Sequence, residues 1–523
     1  MKGIFLGIAT IALAAVSVSG NTDVRGTVTD TNGAPLKNVV VSDGHSVAYT
    51  DSKGNYRLNS PLDLGLVFVS TPDGYEPAQR RQNRPQFWAD VKPGHKHPVN
   101  FKLRKLENDS ALAVIIAADL QVANRVDDRK LLRELYVPEI NRAADSLRNL
   151  GMSPILITLG DQTCDFFWYK NDYRLPDFNR EFTVNVPVYH TMGNHDNDPY
   201  IEGDVPATAT WRKENGPAYY SFNRGGSHFV VLDNMIYIND GGRQGHSGNR
   251  HCDTGMTDEQ LDWLEKDLAA VKDKNAPLFL TMHGILLSFP VAEGGKLKRM
   301  YRMKEGVERL DSILKPFTNV IALSGHAHNA HYQHHTNGRI REYNYPACMG
   351  TWWSARVTPN QTNYSVCRDG SPRGIGIWNF SGERPTQIYK GFGYPTDFQI
   401  KAYDLNTVTV NDSTFTKEYL PGNPDNKNVV LANIWAYEPG CSVKMYENGK
   451  ELKVKNVMAQ DPVYFNEHTI PLFKSGVPVE KPFQPEMTAH MFRATAETAT
   501  APVTIEFRDI YGNVFRKVLE RGK

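Results

Sequence analysis

Short apolar runs alternate with amphipathic segments through the middle of the chain, between residues 107 and 400. The runs read AVIIAA, PILIT, PVYHTM, APLFLTM and NVIAL, and uninterrupted apolar runs predict strands that are buried on both faces. Apolar residues recur at helical spacing from Leu132 to Leu150, which predicts a helix that ends at Gly151. Strands that alternate with helices predict a layered α/β core, with β-sheets flanked by helices.

The pattern changes on both sides of this core. Residues 21–104 alternate short β-branched runs with the turn sequences DTNG, SDG and SKGN, which predicts a small N-terminal β-sandwich. Residues 401–523 contain the strand-like runs NVVLANIWAY and PVTIEF and the hairpin turns YENGKE and DIYGN. The α/β core, residues 107–400, is therefore expected to lie between two all-β domains.

The first residues of the chain, 1–20, read as a targeting segment. They carry Lys2, an apolar run from Ile4 to Val18 and small residues before Asn21, which is the pattern of a secretory signal peptide. The apolar run is shorter than the roughly 20 residues that a membrane-spanning helix needs. We therefore expect an exported protein, periplasmic or secreted, without a membrane span.

Composition excludes some partners and leaves the redox state of the chain open. The formal net charge is +1, so the overall charge gives no reason to expect nucleic acid or anionic lipid as a partner. The chain has five cysteines, and an odd number leaves at least one without an intramolecular partner. Cys348 and Cys367 could form a disulfide in an oxidising compartment, and a chain without disulfides fits the sequence equally well.

Polar side chains of the kinds that bind metals follow each of the five apolar runs. In chain order they are Asp119 and Gln121, Asp161, Asn194 with His195 and Asp196, His283, and His326 with His328. Because the loops at the carboxyl ends of strands converge in open α/β sheets, these residues can meet in space. A mixture of carboxylates, imidazoles and amides suits Mn, Fe, Zn or Co better than Ca. One carboxylate can bridge two ions that lie about 3.5–4 Å apart.

Each of these residues also has an ordinary structural explanation. Asp119 could cap a helix, Asp161 and Asn194 could be turn residues, and His283 could be a core histidine. These explanations are plausible one at a time. The ordered set, with each member after a strand, favours a metal site.

The ordered series D-x-[H/Q], GD, GNHD, H and GHxH resembles the calcineurin-like metallophosphoesterases across residues 107–400. The flanking regions resemble the N- and C-terminal domains of exported bacterial members, and the first resembles carboxypeptidase-regulatory-like modules. The resemblance implies hydrolysis of phosphate esters at a dinuclear centre of divalent ions (Mn, Fe, Zn or Mg). In such a centre, a hydroxide activated by the metals attacks phosphorus in line.

The resemblance also implies a role for each residue. One ion would be held by Asp119, Gln121, Asp161 and His328, and the second by Asp161, Asn194, His283 and His326. His195 would stabilise the phosphate or protonate the leaving oxygen, and Asp196 would orient His195. Gln121 stands where the family usually has His, so either it binds the first ion more weakly or it does not bind that ion.

Substrate contacts are predicted from four further residues. Arg243 and Arg250, in a Gly-rich polar segment, could clamp a phosphate, and Trp352 and Trp353 could stack on a sugar or base. Asp165 and the sequence FFWYK at 166–170 could line the pocket. Two alternatives remain open: hydrolysis of a phosphodiester, pyrophosphate or phospholipid headgroup, and a degenerate enzyme that binds envelope or glycan components through its β-domains.

Overall fold

The computed structural model describes residues 21–80, 83–243, 246–286, 291–293, 296–298, 303–334, 339–350, 366–476 and 484–522. The segment 1–20, read above as a signal peptide, lies outside these ranges, as do Trp352 and Trp353. Within the described ranges, every helix is too short or too polar to cross a membrane.

The N-terminal part is a sandwich of two four-stranded sheets. Its strands are β1 (Thr22–Asp30), β2 (Val40–Ser42), β3 (Val47–Tyr49), β4 (Asn55–Ser60), β5 (Leu66–Ser70), β6 (Tyr75–Pro77), β7 (Trp88–Asp90) and β8 (Phe101–Lys105). One sheet has the order β4-β1-β8-β6 and the other β3-β2-β5-β7. In β4 buried and exposed residues alternate strictly, as expected for a strand with one face on a core and one in solvent.

The central part contains most of the helices. They are α1 (Asp128–Leu131), α2 (Val137–Asn149), α3 (Leu175–Glu181), α4 (Asp204–Ala207), α5 (Ala209–Asn215), α6 (Asp258–Ala269) and α7 (Val307–Leu314). A π-helical turn, Leu132–Tyr136, joins α1 to α2. The chain leaves α2 through Gly151, which adopts φ +78°. Leu150, expected on the buried face, is 77% exposed because the helix has ended before it.

Most of the central strands form two large sheets that face each other, and the others pair in two-stranded sheets. The central strands are β9 (Leu112–Ala117), β10 (Ser153–Leu159), β11 (Val188–Thr191), β12 (Tyr220–Arg224), β13 (Ser227–Val231), β14 (Met235–Asn239), β15 (Gly242–Arg243), β16 (His246–Ser247), β17 (Arg250–Thr254), β18 (Leu278–Thr281), β19 (Val291–Glu293), β20 (Lys296–Lys298), β21 (Val320–Ser324), β22 (His331–His334), β23 (Ile340–Asn344), β24 (Gly374–Asn379) and β25 (Thr386–Gly391). The two large sheets have the orders β11-β10-β9-β24-β25 and β12-β13-β18-β21-β23-β22.

The core of the central part lies between these two sheets. Phe279 of β18 packs edge-on against Trp378 of β24, with ring centroids 5.2 Å apart. Strands β9, β10 and β11 run parallel, as do β13, β18, β21 and β23, so their carboxyl ends point the same way within each sheet. The predicted layered α/β fold class is confirmed.

The C-terminal part returns to β-structure. Its strands are β26 (Lys401–Asp404), β27 (Val429–Asn433), β28 (Ser442–Glu447), β29 (Lys450–Glu451), β30 (Lys455–Ala459), β31 (Thr488–Thr495), β32 (Val503–Arg508) and β33 (Val514–Leu519), with the short helices α8 (Pro462–Tyr464) and α9 (Ile470–Lys474). The strands form two sheets, β26-β27-β31-β30 and β29-β28-β32-β33. Strand β25 therefore still belongs to a central sheet, and β26 is the first strand of the C-terminal part.

The five cysteines are all free thiols. Cys348 and Cys367, the pair considered for a disulfide, are both fully buried. Burial raises the pKa of the Cys348 thiol to about 12. Of the two sequence alternatives, the chain without disulfides is the one that the structure shows.

Candidate metal centre

The loops after the central strands bring the predicted ligands into two overlapping clusters. Asp161, His283 and His326 place ligand atoms within 4.8 Å of one another, and so do Asp119, Asp161 and His328. Asp161 belongs to both clusters. It follows β10, at the middle of the site, and its side chain is 1% exposed. Each of the two clusters could hold a metal ion.

The backbone is unusual at these positions. Five predicted ligands have positive φ: Asp119 (51°), Gln121 (43°), Asp161 (51°), His326 (66°) and His328 (61°). Non-glycine residues adopt this region rarely, and such residues concentrate at functional sites where the surroundings hold them in place. Here the Gln121 N–H donates to the Asp161 carbonyl at 2.7 Å, and the His326 N–H donates to the Asp119 carboxylate at 3.0 Å.

One cluster is built around His283, which is fully buried after β18. Its Nδ1 donates to the Leu159 carbonyl at 2.7 Å, so its Nε2 is turned toward the site, 3.2 Å from Asp161 Oδ2 and 3.1 Å from His326 Nδ1. A carbonyl behind the imidazole is the usual support of a metal-binding histidine. Burial alone would lower the pKa of His283, but the Asp161 charge outweighs it and raises the pKa to about 10. Burial alone would raise the pKa of Asp161, but the positive charges of His283 and His195 hold that pKa far below its usual range.

The other cluster contains Gln121. His328 Nε2 lies 3.3 Å from Asp119 Oδ1, and Gln121 Nε2 lies 2.9 Å from Asp161 Oδ2 and 3.3 Å from His328 Nε2. The amide is thus inside the ligand cluster. Since the two ends of an amide are interchangeable by rotation, the same side chain can present its oxygen to a cation. Although this position has Gln where the family usually has His, the site therefore keeps a side chain that can bind a cation.

Asn194 supplies an independent test of whether a cation fits. Its side chain is 7% exposed, and within the described part of the chain its Oδ1 has no hydrogen-bond donor. A buried acceptor without a donor costs about 1–3 kcal/mol, and a bound cation would satisfy it. Together with the carboxylates and imidazoles, this oxygen gives the donor set that transition-metal ions prefer.

His195 lies next to the shared carboxylate. Its backbone N–H donates to Asp161 Oδ1 at 2.8 Å, and its Nε2 lies 4.0 Å from Asp161 Oδ2. Its Nδ1 is 2.6 Å from Asp165 Oδ1, a buried carboxylate. Burial lowers the pKa of His195, but the charges of Asp161 and Asp165 outweigh it and raise the pKa to about 9. His195 therefore presents Nε2 to the centre while Nδ1 is held from behind.

The orienting role predicted for Asp196 needs correction, since Asp165 fills it. The Asp196 carboxylate is fully buried and accepts from the backbone N–H groups of Gly193, Gln162 and Thr163, at 3.0–3.3 Å, and from the Thr163 hydroxyl. Asp196 thus joins the loop after β10 to the loop after β11. Its contribution is to the shape of the site.

The predicted substrate residues have different surroundings. Arg243 is exposed on β15. Arg250, on β17, donates from Nε to Asp165 Oδ2 at 2.7 Å and lies over the Phe166 ring, 4.2 Å from its centroid. Tyr237, which the sequence reasoning did not single out, donates to the same Asp165 oxygen at 2.8 Å. A tyrosine in a strand gives no sequence signal for such a contact.

Gly193 offers a direct test of how tightly the loops meet. A Cβ at this position would lie 2.3 Å from both the N and Oδ1 of Asp161, closer than atoms can approach. We therefore expect Gly193→Ala to displace Asp161 and to lower metal content and activity together. The measurements are metal analysis and kcat/KM. Gly382→Ala is the control, because its Cβ would meet only the Arg384 carbonyl, at 3.7 Å; equal behaviour of the two variants would contradict the geometry.

Asp196→Asn tests the corrected role of Asp196. The amide nitrogen would face backbone N–H groups in place of an acceptor, so we expect a loss of about 1–3 kcal/mol in the free energy of unfolding. Urea denaturation measures it, with Asp145→Asn, a 59% exposed carboxylate, as the control. A variant as stable as the parent would show that these hydrogen bonds do not hold the loops together.

The fold and the site together define a metal-binding α/β protein with a histidine beside a shared carboxylate. Comparison with known families agrees. Residues 112–330 match the calcineurin-like phosphoesterase model, residues 22–106 the model for the N terminal of calcineurin-like phosphoesterase, and residues 342–515 the one for its C terminal. The chain belongs to the calcineurin-like phosphoesterases, and every predicted metal ligand lies inside the 112–330 match.

Among individual proteins, the chain is similar to purple acid phosphatase 13 of Arabidopsis thaliana, at 30% identity over 110 residues (19% of this chain and 17% of that protein). It is 29% identical over 146 residues to a probable glycerophosphodiester phosphodiesterase GpdQ of Arcobacter nitrofigilis (28% of this chain and 46% of that protein). The matches thus span less than half the length of either relative. A solved structure of yellow lupin purple acid phosphatase PPD1 aligns with a TM-score of 0.33 at 15% identity, over 54% of this chain and 51% of that one.

Proposed function

We propose that the protein hydrolyses phosphate esters at a centre of two divalent metal ions, of Mn, Fe, Zn or Mg. The observation that carries the proposal is the sharing of Asp161 between two ligand clusters, each with ligand atoms within 4.8 Å. A carboxylate common to two sets of ligands is the arrangement that holds two ions close enough to act on one phosphate. Membership of the calcineurin-like phosphoesterases supports the reaction class.

We propose that each of the two clusters of predicted ligands holds one ion. Asp119, Gln121, Asp161 and His328 would hold one, and Asp161, Asn194, His283 and His326 the other. When bound, the ions supply Lewis-acid activation of water and of the phosphate. His195 is in neither set, and its Nε2 lies within 4.0 Å of the shared carboxylate. We propose that it stabilises the phosphate and donates a proton to the leaving oxygen.

Metal removal tests the proposal with two readouts. We expect a chelator to abolish hydrolysis of an aryl phosphate and to lower the Tm, because the ligand cluster then loses the cations that link its loops. Adding Mn²⁺ should restore both, whereas Ca²⁺, which prefers all-oxygen sites, should restore them poorly. If activity and Tm are both unchanged after the metal has been shown to be gone, the metal proposal fails.

The class of ester is a second question, and a diester is the second candidate. It is favoured by the similarity to the probable glycerophosphodiester phosphodiesterase. The match covers 46% of that relative, compared with 17% of purple acid phosphatase 13. The measurement is kcat/KM for an aryl phosphate monoester and for the matching diester. A preference for the diester would show that the site accepts the second ester group, and a preference for the monoester would show a pocket shaped for a dianion.

We further propose that the protein is exported, to the periplasm or beyond the cell. Support comes from the pattern of residues 1–20, with Lys2, the apolar run and the small residues before Asn21. N-terminal sequencing of the protein from its native host tests this. A mature chain that begins near Asn21 is the expected result, and a chain that retains Met1 in the soluble cytoplasmic fraction would contradict it.

The envelope or glycan contact predicted for the two β-domains has no support within the described residues. Both domains match the models for the N and C terminals of calcineurin-like phosphoesterase, so they accompany the catalytic part as parts of one family.

A further inference from the structure

The Asp165 carboxylate is held from both sides. Oδ1 lies 2.6 Å from His195 Nδ1, and Oδ2 accepts from the Tyr237 hydroxyl at 2.8 Å and from Arg250 Nε at 2.7 Å. The Asp165 side chain is only 2% exposed, so these hydrogen bonds take the place of water. With three donors on two oxygens, the carboxylate cannot rotate without breaking a hydrogen bond.

The two donors on Oδ2 come from one face of a separate two-stranded ladder. Strand β14 pairs with β17 so that Tyr237 faces Cys252 and Asn239 faces Arg250. Since side chains alternate along a strand, Tyr237 and Arg250 lie on the same face as diagonal neighbours. They are 72 and 85 residues away from Asp165 in sequence, so the ladder supports a loop to which it is not directly connected.

Arg250 is also fixed by an aromatic ring. Its guanidinium lies 4.2 Å from the Phe166 centroid, and the Phe166 ring is 5.1 Å from the His195 ring. Phe166 is 51% exposed, whereas the Arg250 side chain is 12% exposed. The ring therefore covers the guanidinium on one side while Nε is bonded to Asp165 on another. This environment differs from that of a solvent-exposed arginine that is free to bind a phosphate.

From this geometry we propose that Tyr237 and Arg250 are positioning residues that fix Asp165 and, through it, the His195 imidazole. The inference rests on the proposed function, because it assigns these residues to hydrolysis at the metal centre. It replaces the phosphate clamp expected for Arg250. The two roles give different kinetics, since a phosphate ligand contributes to substrate binding and a positioning residue contributes to turnover.

The experiment uses the full-length, metal-loaded protein and the variants Tyr237→Phe and Arg250→Gln. Tyr237→Phe removes only a hydroxyl and is expected to fold. Removing one supporting partner should lower kcat for an aryl phosphate by about 10- to 100-fold. KM should stay within about two-fold. Ile238→Thr is the matched control, because Ile238 is 40% exposed on the opposite face of the same strand, and it should leave kcat unchanged.

A double-mutant cycle adds a readout that a general structural role would not give. In a His195→Ala background, Tyr237→Phe should cause no further loss of kcat, because the residue acts only through His195. Additive losses would overturn the proposal. So would a rise in KM at unchanged kcat for both variants, which would make Arg250 a substrate ligand.

A measurement independent of activity separates this inference from the proposed function. In the Zn²⁺-loaded protein, ¹H NMR should show a downfield Nδ1 proton of His195, assigned by its absence in His195→Ala. It should move upfield or be lost to exchange in Tyr237→Phe and stay in place in Ile238→Thr. An unchanged signal in Tyr237→Phe would overturn the inference. If the parent protein hydrolyses neither ester, the proposed function is wrong, but the NMR test of the hydrogen-bond chain still stands.

Discussion

Replacing Asp161 by Asn is expected to abolish both metal binding and hydrolysis. Among the described residues, Asp161 is the only member common to the two clusters of predicted ligands, so we expect its carboxylate to be the shared ligand. The Asn side chain keeps the shape of Asp but lacks the negative charge that offsets the charge of two dications. The loss also leaves His283 and His326 beside a neutral group, so the attraction that organises the imidazoles disappears.

The size of the effect follows from what the ions supply. Lewis-acid activation contributes several kcal/mol of transition-state stabilisation, and each 1.36 kcal/mol is a factor of ten in rate, so kcat/KM should fall by at least about a thousand-fold. Metal analysis of Asp161→Asn should find both ions depleted. Asp145→Asn, an exposed carboxylate on α2, is the control and should behave as the parent does. A variant that keeps two ions and full activity would remove the bridging role from Asp161.

The second large effect is expected at His195. His195→Ala should lower kcat by about 10²- to 10⁴-fold, the usual contribution of a general acid or base, and should leave metal content unchanged. The reason is geometric: Nε2 faces the centre beside Asp161, and Nδ1 is held by Asp165 at 2.6 Å. If His195 protonates the leaving oxygen, the loss should be greatest for esters of weakly acidic alcohols and smallest for activated aryl esters.

Measuring kcat across a series of esters with different leaving groups tests this directly. His251→Ala serves as the control, because His251 is exposed on β17. If His195→Ala turns over all members of the series as the parent does, the catalytic assignment is wrong. If it loses metal as well as activity, His195 belongs to the ligand set and our division of roles must change.

The layered fold could be predicted because its central strands are buried on both faces. Such strands read as continuous apolar runs, as in Leu112–Ala117, and the chain must place polar residues at their ends. The candidate ligands could be found for the same reason, since Asp119, Asp161, His283 and His326 each follow such a run. The local sequence pattern therefore indicates both where a strand lies and where the residues of the site follow it.

The partner of His195 could not be predicted in the same way. Asp196 is adjacent in sequence, but the 3-10 turn Asn194–Asp196 points its carboxylate at backbone N–H groups, and Asp165 reaches His195 from another loop. Tyr237 and Arg250 arrive from a hairpin whose position depends on tertiary packing. A single sequence records no such contact, because nothing in the spacing of a tyrosine and an arginine indicates which carboxylate they meet.

Hydrolysis followed during metal titration tests directly whether bound metal ions are required for the reaction. Metal-free protein would be titrated with Mn²⁺ while turnover of an aryl phosphate monoester and of the matching diester is followed. We expect hydrolysis of at least one ester to appear with added metal and to saturate at about two ions per chain. Absence of hydrolysis of both esters at every ratio of metal to protein, or full activity before any metal is added, would contradict this expectation.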